Sequence, residues 1–116
     1  MIRLIGSKTE DECRDELMRL NEVLQKPEFG LKKALEAAGH ETKHACVLQC
    51  IPEQGEYFHT ILIDRSYLIE IEIDKYDSLQ LPLLDKIELK SYQHGLSKIN
   101  QIRLAVAMDL VNKKHN

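Results

Sequence analysis

Two short stretches of the chain carry side chains that could do chemistry. In the first, Glu70, Glu72 and Asp74 alternate with isoleucines. In the second, Glu88 and Lys90 flank a single leucine. Such alternation is typical of a β-strand, on which every second side chain shares one face. Carboxylates on neighbouring strands could hold a magnesium ion, and a lysine beside them could orient or activate a water molecule next to a phosphate.

The segment that contains both stretches resembles the active site of the restriction-endonuclease-like nucleases, in which an acid on one strand is followed by Glu-x-Lys on the next. The acid corresponds to Glu70, Glu72 or Asp74, and Glu-x-Lys corresponds to Glu88 and Lys90. The resemblance implies a magnesium-dependent nuclease with a helix after the second motif. Its catalytic residues would be Glu70, Glu72, Glu88 and Lys90.

A second interpretation takes the same acids as the solvent-exposed side of a half-buried antiparallel sheet, which shows this alternation without any catalysis. An exposed acidic face suits a protein partner that carries a basic patch, because complementary charge accelerates association and rejects wrong partners. The predicted partner-binding residues combine acids with aromatic and hydroxyl side chains: Phe58, Thr60, Glu70, Glu72, Asp74, Glu88 and Tyr92.

Histidines and cysteines that could bind a metal occur close together at His44, Cys46, Cys50 and His59. Zinc needs four ligands that converge at about 2.0 to 2.3 Å. On an extended strand Cys46 and Cys50 would lie about 13 Å apart, at roughly 3.3 Å per residue. We therefore predict buried thiols and a core histidine here, with no metal and no cofactor.

A third interpretation is a small-ligand pocket between helices and sheet, near Tyr57, His59 and Tyr67. Polar tips inside an apolar enclosure are common in ligand pockets. They are equally common in a core where each polar group finds a hydrogen bond. This interpretation is an alternative to the partner-binding face.

Composition narrows the classes of function. The chain has 116 residues and a formal net charge of −3, which suits one domain and disfavours binding driven by attraction to nucleic acid. No stretch approaches the roughly 20 apolar residues of a membrane span. Three cysteines, without the dense spacing of a secreted mini-protein, favour reduced thiols and a cytoplasmic location. No Gly-rich phosphate loop and no Gly-x-Ser-x-Gly elbow occurs in the sequence, so binding is favoured over catalysis.

Three helices are predicted around the acidic stretches. Apolar spacing and a capping box of Thr9 and Glu12 indicate a helix over about 9–26. A second helix should cover about 28–38, and a third, capped by Ser97, about 97–114.

The segment of about 43–92 should form the sheet, because its apolar period changes to two. Four strands are predicted, over 43–51, 56–64, 67–74 and 85–92. Short turns between the first three predict an antiparallel meander in one α+β domain, residues 1–116, with the helices packed on one face of the sheet.

The predicted register assigns side chains to two faces. Pairing Ile63 with Tyr67 and Cys50 with Tyr57 gives an apolar face for the helices to cover. This face is expected to carry Tyr57, His59, Ile61, Ile63, Tyr67, Ile69, Ile71 and Ile73, together with His44, Cys46, Leu48, Cys50, Ile87 and Leu89. The opposite, exposed face is expected to hold Glu70, Glu72, Glu88 and Lys90 together.

The last predicted helix has apolar residues on two arcs, which require two neighbours. One neighbour should be the sheet. The other is either the N-terminal helices or a second subunit, and the second case predicts a homodimer through Leu104, Met108 and Val111. Taken together, these patterns favour a small non-catalytic binding protein, such as an inhibitor, an immunity-type protein or an accessory protein.

Overall fold

Four strands in chain order form one antiparallel meander, with helices on both sides of it. The structure is a computed structural model that describes residues 3–26, 30–74 and 82–114. The α+β class and the meander predicted from the sequence are confirmed. The helices are α1 (Lys8–Leu20), α2 (Glu22–Gln25), α3 (Leu31–Ala37), α4 (Leu89–Gln93) and α5 (Lys98–Lys114). The strands are β1 (Ala45–Glu53), β2 (Glu56–Ile63), β3 (Tyr67–Asp74) and β4 (Leu83–Glu88).

Helix α1 begins at a different capping box from the predicted one. The Ser7 hydroxyl accepts a hydrogen bond from the Glu10 amide at 3.2 Å. The Glu10 carboxylate accepts in return from the amides of Ile5 and Gly6, at 3.1 and 2.9 Å. The prediction of Thr9 and Glu12 was therefore two residues too late. The bond from the Ile5 amide also lowers the pKa of Glu10, since it stabilises the charged carboxylate.

Helix α5 begins as predicted and lies antiparallel to α1. The Ser97 hydroxyl accepts from the Asn100 amide at 3.3 Å. Arg14 of α1 is 2.8 Å from Asp109, while Glu16, further along α1, is 2.8 Å from Arg103. The order of the paired residues along α1 is therefore the reverse of their order along α5, as antiparallel packing requires.

The two hairpins have tight turns in which the central residues adopt positive φ. In the first, φ is 42° at Gln54 and 85° at Gly55. In the second, φ is 49° at Asp64 and 62° at Arg65. Turns of this kind match the twist of antiparallel strands. The predicted pairing of Ile63 with Tyr67 is confirmed.

Strand β1 contains a bulge that changes which side chains share a face. The register shifts between Val47 and Gln49, so that Leu48 is an extra residue. Val47 pairs with Ile61, whereas Cys46 pairs with Leu62. The prediction that Cys46 and Leu48 lie beside Ile61 was therefore wrong.

The same shift moves the end of β1. Cys50 pairs with His59, and Pro52 rather than Cys50 pairs with Tyr57. Strand β1 thus extends to Glu53, where a turn had been predicted. A proline is tolerated here because β1 is an edge strand.

Helices cover parts of both faces of the sheet, so they are not gathered on one of them. The α1/α5 face carries Cys46, Leu48, Leu62, Leu68 and Ile87, which form a core with residues of α1 and α5. The α3 face carries Ala45, Val47, Ile61, Ile63, Ile69 and Ile71, which form a core with Leu24 of α2 and Leu31 and Leu35 of α3. Consecutive apolar residues on β2 and β3 explain this, because both sides of such a strand require cover.

Strand β4 is shorter than predicted and its register differs. It ends at Glu88, and the following residues form α4. Leu89 and Tyr92, three residues apart on this helix, pack against the core of the α1/α5 face. Ile87 pairs with Leu68, so it lies on the α1/α5 face and not beside Tyr67. The connection that precedes Pro82 lies largely outside the described residues.

The second apolar arc of α5 is covered by the chain itself. Leu104 and Val111 are buried in the core of the α1/α5 face, and Met108 packs against that core. Leu104 and Val111 are therefore covered as the alternative with the N-terminal helices predicted, and a homodimer through the last helix stays a prediction without support from these two side chains. Among the described residues, no helix has both the length and the apolar character needed to cross a bilayer.

Candidate partner-binding face

Four of the seven predicted partner-binding residues lie together on neighbouring strands. Thr60 of β2 pairs with Glu70 of β3, and Phe58 pairs with Glu72. Alternation places all four on the α1/α5 face, beyond the part that the two helices cover. Asp74, two residues after Glu72, follows on the same face at the end of β3.

Strand β4 adds two residues that the sequence analysis missed. Asp85 pairs with Glu70, and Leu83 pairs with Glu72. Leu83 is 64% exposed and adds apolar surface beside the acids. We call the resulting surface the acidic corner, formed by Phe58, Thr60, Glu70, Glu72, Leu83 and Asp85. These residues, together with His59 and Ile71, line a depression of about 210 Å³.

Charge in the acidic corner is not balanced by the rest of the described chain. Glu70, Glu72 and Asp85 form no ion pair within residues 3–26, 30–74 and 82–114. Glu70 and Asp85 stand directly opposite each other on adjacent strands and are both exposed. Like charges in that arrangement repel. The corner therefore presents negative charge to whatever approaches it.

Tyr92 lies at the border between the acidic corner and the helices. Its side chain is partly buried against the core of the α1/α5 face. Burial raises the pKa of Tyr92, and the nearby negative charge of Glu70 adds to the effect while Arg103 opposes it. Tyr92 thus lies close to Glu70, which is one of the predicted partner-binding acids.

The nuclease motif is not assembled by the fold. Glu88 pairs with Tyr67, which places it on the α3 face, opposite to Glu70 and Glu72. Lys90 lies on α4 rather than on a strand. The expectation that these four residues share one exposed face was wrong, because β4 turns the opposite set of side chains to each face from the set that was predicted. In the described part of the chain, no three His, Cys, Asp or Glu side chains are placed to hold a metal ion.

The histidine and cysteine cluster is divided by the bulge. Cys46 is buried on the α1/α5 face, together with Cys13 of α1. Cys50 and His59 pair with each other across β1 and β2 on the α3 face. His44 precedes β1 and is partly buried, 3.8 Å from the carboxylate of Glu41.

The His59 side chain is enclosed, although the residue borders the depression of the acidic corner. His59 is only 1% exposed, and neither ring nitrogen has a hydrogen-bond partner among the described residues. Burial lowers the pKa of His59 to about 4, so the ring is neutral near pH 7. The Tyr57 ring is nearby, with the ring centroids 6.1 Å apart.

Tyr67 belongs to another part of the sheet. It pairs with Ile63, at the opposite end of β2 from Tyr57. Its hydroxyl is 2.8 Å from Nδ1 of His40, and Nζ of Lys86 lies 4.5 Å from the centroid of its ring. The fold therefore does not bring Tyr57, His59 and Tyr67 around one cavity.

A groove between α1 and α5 is the other concave surface of interest. Its volume is about 380 Å³, and Cys13 and Arg103 contribute to its lining. Burial raises the pKa of Cys13, which keeps it a thiol rather than a nucleophilic thiolate. Arg103 is committed to Glu16 and to the Leu48 carbonyl, at 2.8 and 3.1 Å. The groove thus shows no activated nucleophile, and the guanidinium of Arg103 is already bound to partners within the chain.

Comparison with known proteins returns no relative: no protein-family model, no curated protein and no solved structure matches this chain. Function is therefore inferred from the positions of the side chains. Of the surfaces described above, the acidic corner is the one where like charges without an ion pair stand directly opposite each other beside exposed apolar surface.

Proposed function

We propose that this protein acts by binding, and that its acidic corner engages a basic segment of another protein. The observation that carries the proposal is the direct opposition of Glu70 and Asp85 on adjacent strands, with no cation from the described residues between them. An inhibitor, an immunity-type protein or an accessory protein would work in this way.

The charge arrangement favours a cationic partner on energetic grounds. A pair of like charges directly opposite on two strands costs the free chain roughly 0.2 to 1 kcal/mol. A lysine or arginine placed between Glu70 and Asp85 converts that repulsion into attraction. Binding therefore gains both the new ion pairs and the relief of the old repulsion.

The corner also offers apolar surface beside the acids. Leu83 is largely exposed and Phe58 is partly exposed. They lie on either side of Glu72, because each pairs with it from a neighbouring strand. Interfaces combine a buried apolar or aromatic anchor with a polar rim. Carboxylates, one hydroxyl and two apolar side chains suit recognition of a basic, partly apolar segment better than they suit catalysis.

A charge-reversal experiment tests the proposal. The probe is a short peptide of alternating lysine and valine, and its affinity is measured by calorimetry for the unchanged chain and for Glu70→Lys/Asp85→Lys. The double reversal should weaken binding by about tenfold or more, because it replaces attraction by repulsion. Binding to the unchanged chain should also weaken as salt is added.

The matched control is Asp15→Lys/Glu36→Lys. Both positions are exposed on helices away from the corner, and this double variant changes the net charge by the same amount. It should retain most of the affinity. Equal losses in the two double variants would show that net charge alone attracts the peptide, and the corner would then have no special role.

A further inference from the structure

The outer side of β4 is an open strand edge beside the acidic corner. β4 is the last strand of the sheet, and its partner on one side is β3. Within the described ranges, no side chain or loop donates a hydrogen bond to residues 83–87, or accepts one from them, on the outer side. Asp85 and Lys86 are exposed. Such an edge is a template on which another strand can pair.

We propose that the basic partner segment binds as a fifth strand along β4. This inference rests on the proposed function and adds the manner of binding to it. Main-chain hydrogen bonds to β4 would supply sequence-independent affinity, and alternate side chains would supply specificity. The charge of the acidic corner identifies the occupant as a basic segment in preference to a second copy of this acidic chain.

The spacing of strands shows how the segment would meet the acids. Neighbouring strands lie about 4.8 Å apart, so a side chain of the added strand on the α1/α5 face stands about 4.8 Å from Asp85 and about 10 Å from Glu70. A lysine opposite Asp85 reaches across β4 towards Glu70. One lysine can therefore neutralise both members of the repelling pair.

The other face of the added strand requires a different residue type. There it meets Leu84, which is partly buried, and Lys86, whose amino group lies over the ring of Tyr67. A second cation beside Lys86 would be repelled. The segment should thus carry lysine or arginine at every second position, with apolar residues between.

Two versions of the alternating lysine and valine peptide test the manner of binding. The first has an ordinary backbone, and the second has methylated backbone amides, which keeps the side chains and charge but removes every main-chain donor. Strand addition predicts that methylation weakens affinity by about tenfold or more. The ordinary peptide should also slow exchange of those β4 amides that point outward, roughly every second one along the strand.

The outcomes separate this inference from the proposed function. Equal affinity for the two peptides, with no new protection in β4, would overturn strand addition while the proposed function stands. Failure of both peptides to bind would overturn both. Protection of the outward β4 amides in the free protein, lost on dilution, would show that a second copy already occupies the edge and would contradict a basic partner there.

Discussion

The two edges of the sheet differ in whether side chains form hydrogen bonds to their outer backbone groups. On β1, the Asn21 side chain accepts from the Val47 amide at 2.7 Å and donates to the Val47 carbonyl at 3.1 Å. Next to it, Nε of Arg103 donates to the Leu48 carbonyl at 3.1 Å, within the bulge. On β4, residues 83–87 have no such partner among the described residues. Side chains close the β1 edge at Val47 and Leu48, whereas no described residue closes the β4 edge.

This difference between the edges indicates that β1 contributes to stability, whereas β4 is free to bind a partner. Asn21 follows α1 and also donates to the Leu17 carbonyl at 2.7 Å, so it fastens the end of a helix to the edge of the sheet. An edge occupied in this way cannot accept a further strand. The acidic corner includes residues of β4, at the opposite edge of the sheet. There, no cation of the described chain relieves the repulsion between Glu70 and Asp85.

The largest expected effect is on the closed edge. Asn21→Ala removes the two bonds to Val47 and leaves that backbone without its partner. The free energy of unfolding should fall by about 3 kcal/mol, since unsatisfied partly buried groups are costly. Chemical denaturation measures the change. Asn112→Ala, at an exposed position near the end of α5, is the control and should change stability by less than about 0.5 kcal/mol.

The next effect tests whether the interior beside the closed edge is as tightly enclosed as described. The pKa of His59 is lowered from 6.5 to about 4, so the folded state favours the neutral ring. The unfolded chain takes up the proton first as pH falls. The contribution of the neutral ring is therefore fully present above pH 6.5 and is lost as pH falls towards 4, by about 3 kcal/mol.

Comparison of the unchanged chain with His59→Leu isolates this contribution, because the carboxylates titrate in both proteins. Denaturation at a series of pH values should give a difference in stability that moves in favour of the variant between pH 6.5 and 4. A difference that stays constant with pH would mean that the His59 ring reaches water in the folded protein.

A smaller effect is expected for the second residue that closes β1. Arg103→Met keeps the apolar stem but loses the bond to Leu48 and the ion pair with Glu16. Stability should fall by about 1 kcal/mol, mostly from the bond to the carbonyl, because Glu16 is 57% exposed. A double-mutant cycle with Glu16→Gln should therefore give a small coupling energy. A coupling that accounts for the whole loss would assign the role of Arg103 to the ion pair instead.

The smallest effect has the opposite sign and concerns the open edge. Asp85→Asn removes one of the two opposed charges, so stability should rise by roughly 0.2 to 0.5 kcal/mol. The rise should shrink in high salt, which screens exposed charges. Glu88→Gln is the matched control on the same strand, because Glu88 faces Tyr67 rather than an acid. A loss of stability in Asp85→Asn would mean that this carboxylate already has a stabilising partner.

The fold class and the second hairpin could be predicted because they depend on local signals. The period of two in the strands and the short connection through Asp64 and Arg65 were sufficient to pair Ile63 with Tyr67. Burial on both faces of the sheet could also have been predicted from the sequence, because residues 61–63 are three consecutive apolar residues. Such a run is typical of a strand that is buried on both sides.

The composition of the site was predicted only in part, because two backbone features reassign side chains. The bulge at Leu48 inverts the alternation along β1 and has no clear residue signature. The connection between β3 and β4 is too long for its length to fix the register of β4. Asp85 was missed for that reason, and Glu88 was grouped with acids from which the sheet separates it.

The most direct test of the central claim, that the acidic corner and the open β4 edge form the binding surface, is an NMR titration. The ¹⁵N-labelled chain is titrated with the alternating lysine and valine peptide, and amide shifts are followed residue by residue. The expected result is saturable change at Thr60, Glu70 and Asp85, with Val47 unchanged. Changes centred on Val47 or on the groove between α1 and α5, or no change at any amide, would contradict the claim.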